Sequence, residues 1–263
     1  MLSLTELASQ LKLLKFEMER REPPVGVSVD RSIPGLVLYL NPSKVTNYPS
    51  SNPNRVEVIG DGDLVDEASV SCAIERFRAQ GISKFFFWVD PLSGHESLKT
   101  LLSACGLKPF GGTTYHVLAR TPAQVAAPPT DLTIRRLTPD IPHEILGCYG
   151  DENTQKGFRD SVGQEGFDHF AAFAGENVVA TARAFTHGGI SYFCDAGTQE
   201  GYRCRGGQTA LIAARINRAA ELKSSLCVVQ TLAMLTTSLD NLLRAGFQHS
   251  FDRSVYEYEL PKR

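Results

Sequence analysis

No single charge sign dominates this sequence. Its 263 residues hold 27 lysines and arginines against 29 aspartates and glutamates, a formal net charge of −2. Chains dedicated to DNA or RNA carry a clear basic excess, so nucleic acid is not an expected partner. Long hydrophobic runs are missing as well. No stretch approaches the ~18 consecutive apolar residues of a membrane span, so no membrane partner is expected. The opening segment MLSLTELASQLKLLKFEMERREPP has neither the apolar block nor the small-residue cleavage site of a secretory signal. Leu4, Leu7, Leu11 and Leu14 recur there three and four apart, which predicts an amphipathic helix in a chain expected to stay in the cytoplasm. Cysteine is sparse and lacks pattern. Cys72, Cys105, Cys148, Cys194, Cys204 and Cys227 form no CxxC pair and have no closely spaced histidine, so neither a metal site nor a redox motif is expected. What remains is an ordinary globular composition, 42% apolar and 21% charged, of a length that suits one large domain or two small ones.

A low-complexity stretch divides the chain. Thr121-Pro-Ala-Gln-Val-Ala-Ala-Pro-Pro-Thr130 disfavours helix and ladder pairing and reads as an extended linker between residues 1–120 and 131–263. The second segment begins with a strand marked by Leu132, Ile134 and Leu137 that ends at Pro139, then a helical stretch Pro142–Tyr149. Three strands follow over 168–174, 178–185 and 190–198, joined by Gly175-Glu-Asn177 and His187-Gly-Gly189, both favourable hairpin turns. A helix with Ile212, Ile216, Ala219 and Ala220 on one stripe and Arg215 and Arg218 elsewhere comes next. A strand over 226–230, a helix over 238–245 stopped by Gly246, and a strand over 254–260 complete the order. The first segment shows the closing part of the same series: helix 70–80, strand 85–89, helix 96–104, strand 114–118. Gly106 and Gly246 stand 140 residues apart, and Phe85 and Leu226 141 apart, which reads as an internal duplication.

The strongest chemical signal is the segment Ser191-Tyr-Phe-Cys-Asp-Ala-Gly-Thr198 followed by Gln-Glu-Gly-Tyr-Arg203-Cys204-Arg205-Gly206-Gly207-Gln208-Thr209. A strand feeds a short Arg/Gly loop, which feeds a helix N-terminus. Free amides of the first helical turn, the helix dipole and glycines that admit close approach make such a loop an anion cradle. Arg203 and Arg205 add fork-shaped donors for phosphate oxygens. No Gly-Lys-Ser/Thr follows and no GxGxxG is present, so this is neither a Walker loop nor a dinucleotide fingerprint. Cys204 lies between the two arginines, but no base stands near it in the sequence, so it reads as a loop residue rather than a nucleophile.

Here the sequence resembles the GNAT superfamily of acetyl-CoA-dependent N-acetyltransferases. Their pyrophosphate loop, Gln/Arg-x-x-Gly-x-Gly/Ala, is matched by Arg203-Cys-Arg-Gly206-Gly-Gln208 at Arg203 and Gly206 and departs from the pattern at Gln208. A later run, Asn241-Leu-Leu-Arg-Ala-Gly246-Phe247, is similar to one in a tandem subgroup of the family. The resemblance covers Leu132 to about Leu260 and implies an α/β (α+β) fold of two GNAT-like halves, with mixed, mostly antiparallel sheets flanked by helices and a degenerate first half. It implies that acetyl-CoA is held by the Arg203–Thr209 backbone, with its pantetheine arm along Ala196, Gly197 and Thr198 and Asn241 facing the pantetheine or thiol end. Gly197 suits a bulge that opens a splay between the two strands.

The expected reaction is acetyl transfer to a primary amine of a small molecule or peptide by direct attack, in a monomer or homodimer. The position where many members carry a proton-donating Tyr is Leu242, so a non-catalytic acyl-CoA-binding module or sensor is the alternative. Tyr192 and Asp195 are the candidate catalytic groups, beside the plainer readings of a strand residue and a solvated carboxylate. Asp151 and Glu152 border the acceptor region of such folds. His169, His187 and His249 lie apart in sequence and suggest no joint site. In the first half Val65 stands where Gly206 does, within Gly62-Asp-Leu-Val-Asp-Glu67, whose carboxylates would repel a pyrophosphate. A glutamate at Gly206 is expected to block the ligand and spare the fold, and one at Val65 to be silent.

Overall fold

The computed structural model describes residues 2–23, 26–47, 49, 52–59, 62–91, 94–111, 115–139 and 152–260. The helical stretch expected over 142–149, and Asp151, lie outside these residues.

Helix α1 (Leu4–Arg21) starts at a capping box, in which Ser3 Oγ accepts from the Glu6 amide and Glu6 Oε2 accepts from the Ser3 amide. Leu7, Leu11 and Leu14 are buried along its stripe, whereas Leu4 is exposed. The first segment continues with β1 (Ser28–Asp30), β2 (Leu36–Leu40), β3 (Arg55–Val58), α2 (Glu67–Ala79), β4 (Lys84–Val89), α3 (His95–Ala104), β5 (Lys108–Pro109) and β6 (Tyr115–Arg120). The second contains β7 (Thr133–Arg136), α4 (Glu152–Asp160), β8 (Phe167–Ala174), β9 (Asn177–His187), β10 (Ile190–Thr198), α5 (Gly207–Glu221), β11 (Leu226–Leu232), α6 (Thr236–Arg244) and β12 (Gln248–Glu259). The series β3-α2-β4-α3 repeats as β10-α5-β11-α6, each with its two strands parallel.

The two sheets expected from the sequence merge into one. Strand order is β1-β2-β3-β4-β12-β6-β11-β10-β9-β8-β7, with β5 beside β12, and every neighbour apart from those two parallel pairs is antiparallel. The join is an exchange of last strands. β6, from the first segment, pairs along β11 of the second. β12 pairs with β6 through Gln248–Arg253 and with β4 through Ser254–Glu259. Each segment thereby closes a sheet edge of the other, which removes two exposed edges. The core is correspondingly continuous: Leu7, Leu11 and Leu14 of α1 share one cluster with Phe87 of β4, Tyr192 of β10 and Val228 of β11.

Residues 121–130 have no regular structure, yet they are strapped to the second segment. Asn217 of α5 receives the Val125 amide at 2.8 Å and donates to the Val125 carbonyl at 3.0 Å. Thr130 Oγ1 donates to the Arg205 carbonyl at 2.7 Å. The linker therefore runs along α5 to the Arg/Gly loop. On α5 itself the buried stripe is wider than the apolar pattern predicts, because Arg215 is buried too. Its guanidinium lies 4.7 Å from the Phe193 ring and bonds the Leu211 and Arg183 carbonyls, and burial pushes it down to about 10.

Candidate functional site

β10 and β11 run side by side only from Ile190–Phe193 against Leu226–Val229. Beyond Phe193 the register of β10 with β9 shifts between Cys194 and Gly197, and Asp195 takes a φ of +45°. That bulge twists β10 away from β11, as Gly197 predicts, and leaves Cys194–Thr198 without a ladder partner on the β11 side. Thr198 Oγ1 is buried here and bonds no group among the described residues. A wedge with unpaired strand backbone and an orphaned hydroxyl fits an extended polar arm such as pantetheine, because buried polar groups need partners.

The wedge leads directly to the cradle. Cys204 and Gly206 both have left-handed backbone, φ +63° and +78°, and Gly206 is the N-cap of α5. Among the described residues the amides of Cys204 to Thr209 donate to no group of the chain. Gln208 lies in the first turn, half-buried, and Thr209 Oγ1 donates back to the Gly206 carbonyl at 2.8 Å. Arg203 is exposed and available to an anion. Arg205 instead forks onto Asp131 through two bonds, a surface pair that an incoming phosphate could outcompete.

Glycine at 206 also has a structural task that its sequence does not disclose. A Cβ there would stand 2.7 Å from the Pro129 carbonyl oxygen, so a glutamate would disturb the linker as well as the cradle. Gly207 is similarly tight, with Leu132 Cδ1 3.1 Å from its would-be Cβ. Asn241 is half-buried on α6, and its side-chain carbonyl accepts from Arg244 Nη2 at 2.7 Å. Leu242 is buried in the apolar cluster with Phe247 and Phe193 and carries no proton donor to the site.

The opposite face of the wedge is built by α1. Tyr192 is buried beneath it, with Lys15 Nζ 5.8 Å from its ring and 5.7 Å from Trp88. The same amine donates to Gln230 Oε1 at 3.3 Å, one residue past the last pairing of β11 with β10. Burial, helped by the nearby Arg253 guanidinium, pushes Lys15 down to about 8. Asp195 is not a free solvated carboxylate. Its Oδ2 takes a 2.5 Å bond from Arg183 Nε, and Arg183 also holds Glu22 at the end of α1 and Ser161 Oγ at 3.0 Å. Burial raises the Glu22 carboxyl above its usual value despite Arg183. His169 closes the cluster through Ser161 Oγ at 3.0 Å, and burial together with Arg183 pushes it down to about 3, so its imidazole stays neutral. Glu22, Lys15 and Arg183 carry no motif, and only the packing of α1 across β9 and β10 brings them to the wedge.

Among the described residues the first segment shows no counterpart of the cradle. Val65 is buried in the core, so a glutamate there would not be silent. The α2 N-terminus is capped by Asp66, whose Oδ1 accepts from the Ser69 amide at 2.8 Å and places a carboxylate where an anion would sit. Histidines separated in the sequence do meet elsewhere: His116 and His249 both contact Asp252. No helix among the described residues is long and apolar enough to cross a membrane.

No protein-family model matches the chain, and no curated protein matches it. Solved structures do. A GCN5-related N-acetyltransferase from Kribbella flavida matches with a TM-score of 0.63 at 16% identity, covering 97% of this chain and 94% of its own. One from Sphaerobacter thermophilus gives 0.62 at 15% identity over 98% and 91%. A tandem GNAT protein from the clavulanic acid biosynthesis pathway gives 0.67 at 13% identity over 100% and 98%. The likeness is one of fold: over nearly its whole length this chain shares the fold of a tandem GNAT protein and of two GCN5-related N-acetyltransferases.

Proposed function

We propose that the second segment binds acetyl-CoA and transfers its acetyl group to a primary amine of a small molecule or peptide. The observation that carries this reading is the continuity of the β10/β11 wedge with a loop and helix N-terminus, Cys204–Thr209, whose amides have no partner among the described residues. The wedge supplies unpaired backbone and the Thr198 hydroxyl for the pantetheine arm, and Cys204–Thr209 with Arg203 supply donors for the pyrophosphate.

On the α1 face, Glu22 and Asp195 share one guanidinium, an arrangement suited to attracting a cationic amine and accepting its proton. The neutral amine nitrogen would then form the new C–N bond as the thioester C–S bond breaks, with CoA leaving as the thiolate and taking up the second nitrogen proton, and with proximity in the ternary complex supplying much of the rate. Tyr192, buried against Lys15, would bound the acceptor pocket on β10. Buried Leu242 favours a second reading, an acyl-CoA-binding sensor without transferase activity, because nothing at that position can protonate a leaving thiolate.

Calorimetric titration with CoA and release of free thiol from acetyl-CoA across an amine panel test both. Binding with amine-dependent thiol release supports the transferase, and binding without it on any amine selects the sensor. No CoA binding overturns the proposal.

A further inference from the structure

Outside the wedge, the molecule assembles a second group of side chains with defined chemistry. His116 lies on β6 and faces Asp252 directly across the ladder to β12. His249 lies three residues before Asp252 on the same strand, a spacing that a regular pleat would send to opposite faces. The register shift between His249 and Phe251 changes this. It sets His249 opposite Leu118 and Asp252 opposite His116, two positions of β6 that share a face. The bulge therefore brings all three side chains together.

Both imidazoles aim at one carboxylate oxygen. His116 Nδ1 is 2.7 Å from Asp252 Oδ1 and His249 Nε2 is 2.6 Å from it, with the rings 80° apart. The three donor atoms all lie within 4.8 Å of one another. His249 and Asp252 side chains are about half exposed, 49% and 50%, so solvent can fill further positions and an ion can enter.

We propose that His116, His249 and Asp252 bind a divalent transition-metal ion of the zinc class. Two imidazoles and one carboxylate with open positions match the preferences of zinc and cobalt, whereas calcium and magnesium favour all-oxygen sets. Ligands about 2.0–2.1 Å from a tetrahedral ion lie roughly 3.3 Å apart, so the contacts of 2.7 Å and 2.6 Å to Asp252 need to open by about 0.6–0.7 Å, with the two ring nitrogens, already within 4.8 Å, settling at the same separation. Exposed side chains on a fixed bulge can supply that movement. The ion would take the place of the protons now shared with Asp252. It would also clamp β6 to β12, the two strands that the segments exchange. This inference is independent of acyl transfer, because it uses neither the wedge nor the cradle.

The test uses the full chain, stripped with chelator. Cobalt(II) should bind at one equivalent and develop visible d–d absorption, and zinc should displace it. Zinc at one hundred times its dissociation constant should raise the melting temperature by roughly 5–10 °C. His249→Ala removes an exposed ligand with little risk to the fold, and should weaken binding at least tenfold and cut the thermal shift at the same zinc concentration by half or more. Asp252→Asn should do likewise, with folding of both variants checked by circular dichroism. Exposed Cys72 and Cys204 could bind zinc on their own. Unchanged binding in His249→Ala and Asp252→Asn would therefore assign the ion elsewhere and overturn the proposal, as would no binding at all.

Discussion

Asp90 is the carboxylate on which the exchanged strand depends. It sits at the end of β4, 2% exposed, and receives Arg253 of β12 through Nε at 2.5 Å and Nη2 at 2.7 Å, while Lys12 of α1 approaches to 3.3 Å. Arg253 is fully buried. Asp90→Asn keeps the shape and removes the charge, stranding two buried cations with Glu57 as the remaining nearby carboxylate. Breaking a buried pair in this way costs about 3–5 kcal/mol, a fifth or more of the ~5–15 kcal/mol that holds a typical domain. Urea unfolding should show that loss as a lower midpoint with an unchanged slope. The pH dependence gives a second readout. Burial alone would raise the Asp90 carboxyl, but Arg253 and Lys12 outweigh it and hold the group below its usual value. A carboxylate depressed on folding stabilises fully above its unfolded pKa of about 3.9 and loses that contribution as pH falls through the folded value. Asp90→Asn should therefore flatten the acid limb of the stability profile. Replacing all three by apolar residues (Lys12→Met, Asp90→Leu, Arg253→Met) should recover most of the loss. A loss below about 1 kcal/mol in Asp90→Asn, or an unchanged acid limb, would refute the argument that this pair is desolvated and holds the strand.

Two further substitutions separate the cradle's chemistry from its architecture. Arg203→Glu, on an exposed side chain, should leave the melting temperature unchanged and weaken CoA binding by about 1.5–3 kcal/mol, read by calorimetry. Gly206→Ala should lower stability by about 1–3 kcal/mol in thermal or urea unfolding, because φ +78° and the Pro129 carbonyl both oppose a Cβ.

Local signals made most of the elements legible. Hairpin turns at Gly175-Glu-Asn177 and His187-Gly-Gly189, the α1 stripe and the Arg/Gly loop all fall where the pattern sets them, because each depends on neighbours a few residues away. β12 shows where this fails. The sequence indicates a strand from Ser254, yet it begins at Gln248. Gln248-His-Ser-Phe-Asp-Arg253 lacks an apolar alternation because its polar side chains have partners on distant elements: Asp252 meets His116, and Arg253 meets Asp90. The strand exchange is invisible for the same reason, since each last strand has the same polarity whichever sheet it joins. The α1 face of the wedge was also illegible. Glu22 and Lys15 look like solvated charges on an amphipathic helix until the helix is laid across β9 and β10.

The exchange makes a strong demand on any attempt to divide the molecule at residues 121–130. Residues 131–263 alone would lose β6 from the edge of β11 and all three strand partners of β12, β4, β5 and β6. They would also lose α1, which covers Tyr192 and supplies Glu22 to Arg183. Arg253 would lose Asp90 and Arg183 one of its two carboxylates, so apolar surface, open strand edges and unpaired charge would be exposed together. That fragment, although it contains the cradle and both strands of the wedge, should aggregate or remain unfolded, as judged by light scattering and circular dichroism. Co-expression with residues 1–120 should restore a 1:1 complex, because the missing strand and helix can be supplied from a separate chain. A monodisperse, folded and CoA-binding fragment 131–263 would show that the second segment closes its own sheet, and that the shared strands fasten two independent domains instead of completing one.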